Sequence, residues 1–463
     1  MNWNKTLWQG LLACILLISF GCSAQVAKHS EAVSSIKGDV VKEKVPQNFA
    51  VEVAEGAVDD GWIKNFNDPT LLRLIDEALA ANPGLKIAEA RVDQANGLTR
   101  QAESDLKPTV GLGGSYRDKD YKGSGQGSSA SVNVSWEADV WGRVRTGIAA
   151  NEELTAATVA DYRFARQSLA ASVANAWFMA TTAKLQNEFA KEVVTMQQKG
   201  FKAADVMQQI GKGSERDVHV ARAALASAQE AARYAESAYE NALRSLELLL
   251  GRYPSADIKT ATSLVAVPPP IPAGIPSGIM ERRPDLLAAE HNVAKAFYEQ
   301  KETEMLHLPR FKFSLGVGVN SINDAIAGLA AGIFAPLYTG GAIEGKVDVA
   351  TAKQKEAIAV YAQAALNAFK EVETTLAAEE HLLKREAFLK IEVDSNKKAY
   401  EQTNLQYEIG QISLIDVLPV QNRWISSKIA ILDMNSKRLL NRVSLHLALG
   451  GSFEEQNDQQ QTQ

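Results

Sequence analysis

Between Phe311 and Asn320 the chain alternates. Phe311, Phe313, Leu315, Val317 and Val319 are set against Lys312, Ser314, Gly316, Gly318 and Asn320. A period of two describes a strand with one apolar face and one small or polar face. "SVNVSWE" (131–137) repeats it, with Val132, Val134 and Trp136 against Ser131, Asn133, Ser135 and Glu137. "TVGLGGSY" (109–116) carries it more weakly, and a fourth strand is expected near Ile326–Phe334. "YKGSGQGSS" (121–129) reads as a flexible turn between the first two strands. Elsewhere the period is helical. Residues 148–199 and 346–409 contain neither Gly nor Pro and could run as helices of about 78 Å and about 96 Å at 1.5 Å per residue. Leu185, Phe189, Val193 and Met196 share one face of the first. Dense alanine through 149–180 lets helices approach closely. Return helices are expected over 215–250 and 414–448.

The pattern is written twice. "PGLKIAEARVDQA" (83–95) and "PDLLAAEHNVAKA" (284–296) share Pro-x-Leu-x-x-Ala-Glu-x-x-Val-x-x-Ala, and each opens a helix of about 25 residues with a first-turn proline. Pro108 pairs with Pro309, Tyr162 with Tyr361, and Asp217 with Asp416. "IGKGSERDV" (210–218) and "IGQISLIDV" (409–417) share Ile-Gly-x-x-Ser-x-x-Asp-Val. So long an ordered series indicates two structural repeats. "PPPIPAGIP" (268–276) cannot continue a helix and reads as the extended linker joining them.

Composition narrows the class. A net charge of −6 argues against nucleic acid as a main partner. Both cysteines, Cys14 and Cys22, fall in the first 22 residues, so a chain cut there has no disulfide. Lys5 and the apolar run Leu11–Phe20 form a secretory signal, too short for a membrane span. Gly21-Cys22 resembles a bacterial lipoprotein box, with lipid expected on Cys22. The alternative is an ordinary signal cut after Ala24, since Ser19 and Phe20 replace the box's usual Leu and small residue. Ser23, rather than Asp, points to the outer membrane. The expected order is a signal peptide (1–21), a lipid-anchored extended segment (22–61), the first repeat (62–267), the linker (268–276), the second repeat (277–450) and a disordered tail (451–463). The polar stretches 23–55 and 452–463 are expected to be loosely ordered.

Four strands with an apolar face find little core among long helices. A bilayer offers an apolar partner, but only to a closed sheet. Bacterial barrels need at least eight strands, so a membrane reading requires a dimer or a trimer. Here the chain resembles the TolC-type outer-membrane efflux factors, in their lipoprotein branch. The residues that carry the likeness are "WIKNFNDPTLLRLIDEALAANPGL" (62–85), "WEADVWGR" (136–143), "ERRPDLLAAE" (281–290), "FAPLYTGG" (334–341) and "YEIGQISLIDVL" (407–418), spanning residues 62 to about 450. The resemblance implies a mainly α chain with a small β part. A homotrimer would share one transmembrane β-barrel, four strands from each chain, continued by a long α-helical periplasmic barrel. It implies an outer-membrane exit duct, working with a periplasmic adaptor and an inner-membrane pump. The two Gly-x-x-Ser-x-x-Asp turns (Gly211, Ser214, Asp217; Gly410, Ser413, Asp416) become the periplasmic helix tips. Asp416, with Ile415 beside it, takes the family's first gate-acid position, while Pro419 stands where a second acid is usual. An acid near a helix start also caps free N–H groups. That role is expected of Asp217, and the gate role of Asp416.

Catalytic chemistry is missing from the pattern. His29, His219, His291, His307, His381 and His446 show no ligand spacing, and there is no phosphate loop or nucleophile elbow. No enzyme, cofactor or metal site is expected. The competing reading is a lipid-anchored periplasmic adaptor or helical scaffold that never spans.

Overall fold

The computed structural model describes residues 26–34, 48–51, 56, 58, 60–117, 127–272, 274, 276–320 and 325–454. Cys22 and residues 118–126 of the first strand connection lie outside these. The element order is α1 (His29–Ala32), a 3-10 turn (Trp62–Phe66), α2 (Pro69–Ala81), α3 (Pro83–Ser104), β1 (Thr109–Arg117), β2 (Gly127–Ala138), α4 (Arg143–Gln209), α5 (Glu215–Leu249), α6 (Pro276–Arg282), α7 (Pro284–Glu304), β3 (Arg310–Asn320), β4 (Ala325–Phe334), α8 (Ala342–Glu408) and α9 (Leu414–Ala448). The two repeats match in length: α4 and α8 have 67 residues each, α5 and α9 have 35. Both long helices pass through a glycine, Gly147 or Gly345, and so begin before the glycine-free runs.

The expected 25-residue helices are slightly shorter, α3 with 22 residues and α7 with 21. β2 begins at Gly127, so Gly127, Ser128 and Ser129 belong to the strand and not to the turn. Residues 268–272 form neither helix nor strand, Pro276 of the expected linker already opens α6, and the backbone carbonyls of Pro268 and Pro269 accept from the buried guanidinium of Arg442. The chain divides into two compact units, and each draws on both repeats. One takes residues 89–161 and 285–365 with the N-terminal residues; the other takes 46–88, 162–284 and 366–463.

In the first unit the four strands form one antiparallel sheet in the order β1-β2-β3-β4. "WEADVWGR" turns the chain from β2 into α4. Asp139 accepts from the backbone N–H of Val144 at 2.9 Å and of Arg145 at 3.0 Å, capping the helix start. The indoles of Trp136 and Trp141 donate to the carbonyls of Leu106 (2.9 Å) and Pro309 (2.7 Å), tying down the strand bases. Arg143 spans Glu137 and Glu302.

The N-terminal residues 26–34 differ from the loose tail expected. Ala32 and Val33 are buried, the Tyr298 hydroxyl donates to the Ala27 carbonyl at 2.8 Å, and His29 meets Glu153 at 2.7 Å. Two small apolar side chains and one anchored ring suffice to seat a short polar segment. The C-terminal end is also held as far as it is described: Ser452 donates to Asp60 and accepts from the Gly61 N–H, both at 2.8 Å.

The second unit holds the main apolar core. Trp62, Phe66, Leu71 and Leu74 pack with Trp177 and Phe178 of α4, Leu246 and Leu250 of and after α5, and Leu439 and Val443 of α9. α2, which the strand and repeat patterns did not single out, lays Leu71, Leu74, Ile75 and Ala78 into this core. Its start is set by Asp68, whose carboxylate accepts from the N–H groups of Thr70 and Leu71, followed by a first-position proline. Phe189 and Val193 form a second cluster with Ala228, Trp424 and Ile425.

Candidate channel wall and gate

The sheet register lines up the alternation across all four strands. Val110 faces Val134, Val134 faces Leu315, and Leu315 faces Leu329. One step along, Leu112, Val132, Val317 and Ala327 form the next row. These rows share one face, and that face is bare. Leu112 is 84% exposed and Leu329 71%. Burying such a side chain is worth about 1.5–3 kcal/mol, so a whole apolar face without cover calls for an apolar surrounding.

The opposite face carries Gly111, Asn133, Gly316 and Gly328 in one row and Thr109, Ser135, Ser314 and Ala330 in another. Hydroxyls bond along it: Thr109 to Ser135 at 2.7 Å, Ser115 to Ser129 at 2.8 Å. Gly318 is required there, because a Cβ would lie 2.7 Å from the Ala130 carbonyl. Among the described residues, β1 and β4 each have a strand neighbour on one side only. Below β4 in "FAPLYTGG", Leu337 and Tyr338 are more than 90% exposed.

The two helix tips both lie in the second unit. Gly211 and Gly410 take left-handed backbone, φ +72° and +78°, and end α4 and α8. Lys212 N–H returns to the Met207 carbonyl and Gln411 N–H to Gln406, both at 2.9 Å. The tips touch: Ala204 and Ala221 of the first hairpin enclose Leu414 of the second, with Phe201, Tyr407 and Leu418 around them.

The paired serines and aspartates then diverge. In the first tip, the Ser214 hydroxyl accepts from the Asp217 N–H at 3.2 Å. The cap role expected of Asp217 thus falls to Ser214. The Asp217 carboxylate is half-buried, 3.9 Å from the Arg216 guanidinium. Burial, and then the charge of Asp217, raise the pKa of Tyr407 on the second hairpin. In the second tip, the Asp416 Oδ2 accepts from the Ser413 N–H at 3.0 Å and from its hydroxyl at 2.8 Å. Asp416 is therefore part of a capping box. It is also exposed, as is Ile415, while Leu414 and Val417 on either side are buried. The tip fixes its helix with 414 and 417 and presents 415 and 416 outward. Pro419 does not break α9, which runs unbroken to Ala448. The helix bond it removes would go to the Ile415 carbonyl, on the exposed first turn where water can serve.

The sequence profile of the family described as "Outer membrane efflux protein" matches residues 74–252 and again 275–451. The chain belongs to that family. The double match divides the chain where its own repeats do. Cation efflux system protein CusC of Escherichia coli K12 is 26% identical over 464 residues, covering 95% of this chain and 98% of that protein. The toluene efflux pump outer membrane protein TtgC of Pseudomonas putida is 28% identical over 428 residues, 87% of each chain. Among solved structures, the Neisseria gonorrhoeae MtrE outer membrane channel in its open state matches with a TM-score of 0.79 and 27% identity, covering 90% of this chain and 98% of that one. This is a family of transport components, and an outer membrane efflux protein has a use for a bare apolar sheet.

Proposed function

We propose that this protein is the outer-membrane channel of a tripartite efflux pump, a passive duct through which small molecules or ions leave the cell. The observation that carries this reading is the four-stranded sheet. Its apolar face is uncovered and both edges are open, in a chain whose two halves each match the outer membrane efflux family. Lipid covers the face, and pairing between copies closes the edges. Three copies give twelve strands, above the minimum of eight for bacterial barrels. We therefore read the working form as a homotrimer, with Cys22 lipidated and the long helices continuing the duct into the periplasm. Energy and cargo choice come from an inner-membrane pump, and an adaptor protein joins pump to duct. The adaptor reading of the chain itself loses its support, since the family match covers both halves.

Asp416 and Ile415 would line the periplasmic constriction in three copies. Three carboxylates gathered on one axis lower the local potential and attract cations. Single-channel recording in planar bilayers tests both levels. The expected result is a small, cation-selective conductance that multivalent cations block from the periplasmic side. Asp416→Asn removes the charge but keeps an amide oxygen able to accept from Ser413. It should lower selectivity and block several-fold with the tip still folded, while Asp217→Asn leaves both near wild type. No conductance from the assembled wild type would overturn the channel. Unchanged selectivity and block in Asp416→Asn would leave Asp416 a helix cap only.

A further inference from the structure

Two of the six histidines, 262 positions apart in sequence, come together in the first unit on one carboxylate. The His29 Nδ1 lies 2.7 Å from Glu153 Oε1, and the His291 Nδ1 lies 2.7 Å from Glu153 Oε2. The two rings are 5.2 Å apart between centroids. One ligand atom from each of the three residues can be chosen so that all lie within 4.8 Å of one another. The other nitrogen of His29 is 3.3 Å from the carboxylate of Glu290. The cluster is open to entering ions but not loose: the side chains of His29, Glu153 and His291 are 40%, 12% and 29% exposed.

We propose that His29, Glu153 and His291 form a binding site for a divalent transition metal of the zinc type, which fastens the N-terminal segment to α4 and α7. Two imidazoles and one carboxylate are a recognised zinc donor set, with bonds of about 2.0–2.2 Å. Tetrahedral geometry with such bonds sets donors about 3.3 Å apart, so a 2.7 Å contact opens by about half an ångström while the wider separations, all within 4.8 Å, close by up to about 1.5 Å. The carboxylate is already anionic. Burial pushes the Glu153 carboxyl up, but bonds from His291 and His29 outweigh it and hold it below its ordinary value. Glu290 supplies what a ligating histidine usually has behind it. It accepts from the far ring N–H of His29, which fixes the tautomer and leaves Nδ1 for the ion. Without an ion the same two nitrogens face the two oxygens of Glu153. Solvent fills the remaining coordination position. The site does not depend on the channel reading, since its three ligands lie within one compact unit of a single chain.

The test uses tag-free full-length protein in detergent, stripped with chelator and titrated with cobalt(II), whose visible absorption reports tetrahedral nitrogen and oxygen ligation. One cobalt per chain is expected, displaced by zinc. His291→Ala should weaken binding by 100-fold or more. Glu290→Gln should weaken it 10–100-fold, the usual cost of losing such a backing group. His219→Ala, at an exposed position elsewhere, should leave it unchanged. Zinc should also slow tryptic cleavage after Lys28 in the wild type and not in His291→Ala. Helical circular dichroism of each variant confirms its fold. Failure of wild-type protein to bind cobalt saturably would overturn the site on its own. Binding of equal strength in His291→Ala would do the same, leaving the cluster an ion-pair clasp.

Discussion

Asp68 uses its two oxygens for two purposes. Oδ1 caps α2, and Oδ2 accepts from the buried indole of Trp177 at 2.7 Å. Asp68→Ala should lose a cap worth about 0.5–2 kcal/mol and leave a buried N–H unsatisfied at about 1–3 kcal/mol. A fall in thermal midpoint of the detergent-solubilised protein is the expected result, restored only in part by Asp68→Asn, whose single amide oxygen can serve the cap or the indole but not both. The signal for this residue was present in "NDPTLL", an aspartate before a first-turn proline, although neither the strand alternation nor the repeat pointed to it. His446 gave no signal of that kind. It is stacked on Trp62 at 5.0 Å, and neither ring nitrogen has a hydrogen-bond partner among the described residues. Burial, helped by the positive charge of Arg442, drives its pKa from 6.5 to about 3. Below pH 6.5 the unfolded chain therefore binds a proton that the folded chain refuses. Stability should fall with falling pH, by up to about 1.4 kcal/mol per unit, until the folded ring also protonates near pH 3. His446→Phe keeps the stacking and should flatten this part of a denaturation-versus-pH curve. An unchanged slope would assign the acid sensitivity to other groups.

At the scale of elements the sequence was most legible where its period was strongest. β3 spans the alternating run Arg310–Asn320, and the 35-residue return helices end within a residue of their expected bounds. The weaker alternation of "TVGLGGSY" still produced β1, because its register with β2 places Val110 and Leu112 in the shared apolar rows. What the period could not give was the pairing of β2 with β3, since no local signal links strands on opposite sides of a helical hairpin. The glycines of the polar face divide by their surroundings. Gly318→Leu should impair assembly, read as loss of the oligomer band on a native gel. Gly328→Ala, where nothing lies within 4 Å of the added carbon, should assemble normally. The candidate gate was legible only in part. The shared Gly-x-x-Ser-x-x-Asp pattern marked both tips, but it is silent on which partner each carboxylate takes. That choice rests on packing: Tyr407 stands beside Asp217, while Asp416 is answered by Ser413.

For the molecule as a whole, a duplicated chain with four strands leads to closure by several copies. Mass measurement of protein extracted in mild detergent should give a little under three times the 50.1 kDa of the full chain, since the signal peptide is removed; a monomer alone would rule out a shared barrel. The repeat was readable from spacing because duplication preserves it. The N-terminal clasp was not, because its ligands come from three separate segments. The β2–β3 pairing has a further consequence, for the order of synthesis. Val132 meets Val317, 185 positions later in the chain. The first hairpin is therefore made with its apolar side chains and both edges unsatisfied, and waits while the next 170 or so residues are made. At about 5–20 residues per second that delay is on the order of ten seconds or more, far longer than the microseconds a hairpin needs to form. Even then the sheet has two open edges until other copies arrive. Maturation is thus a race between encounter of protomers and aggregation, and its yield should depend on holding chaperones and on how many copies are exported together.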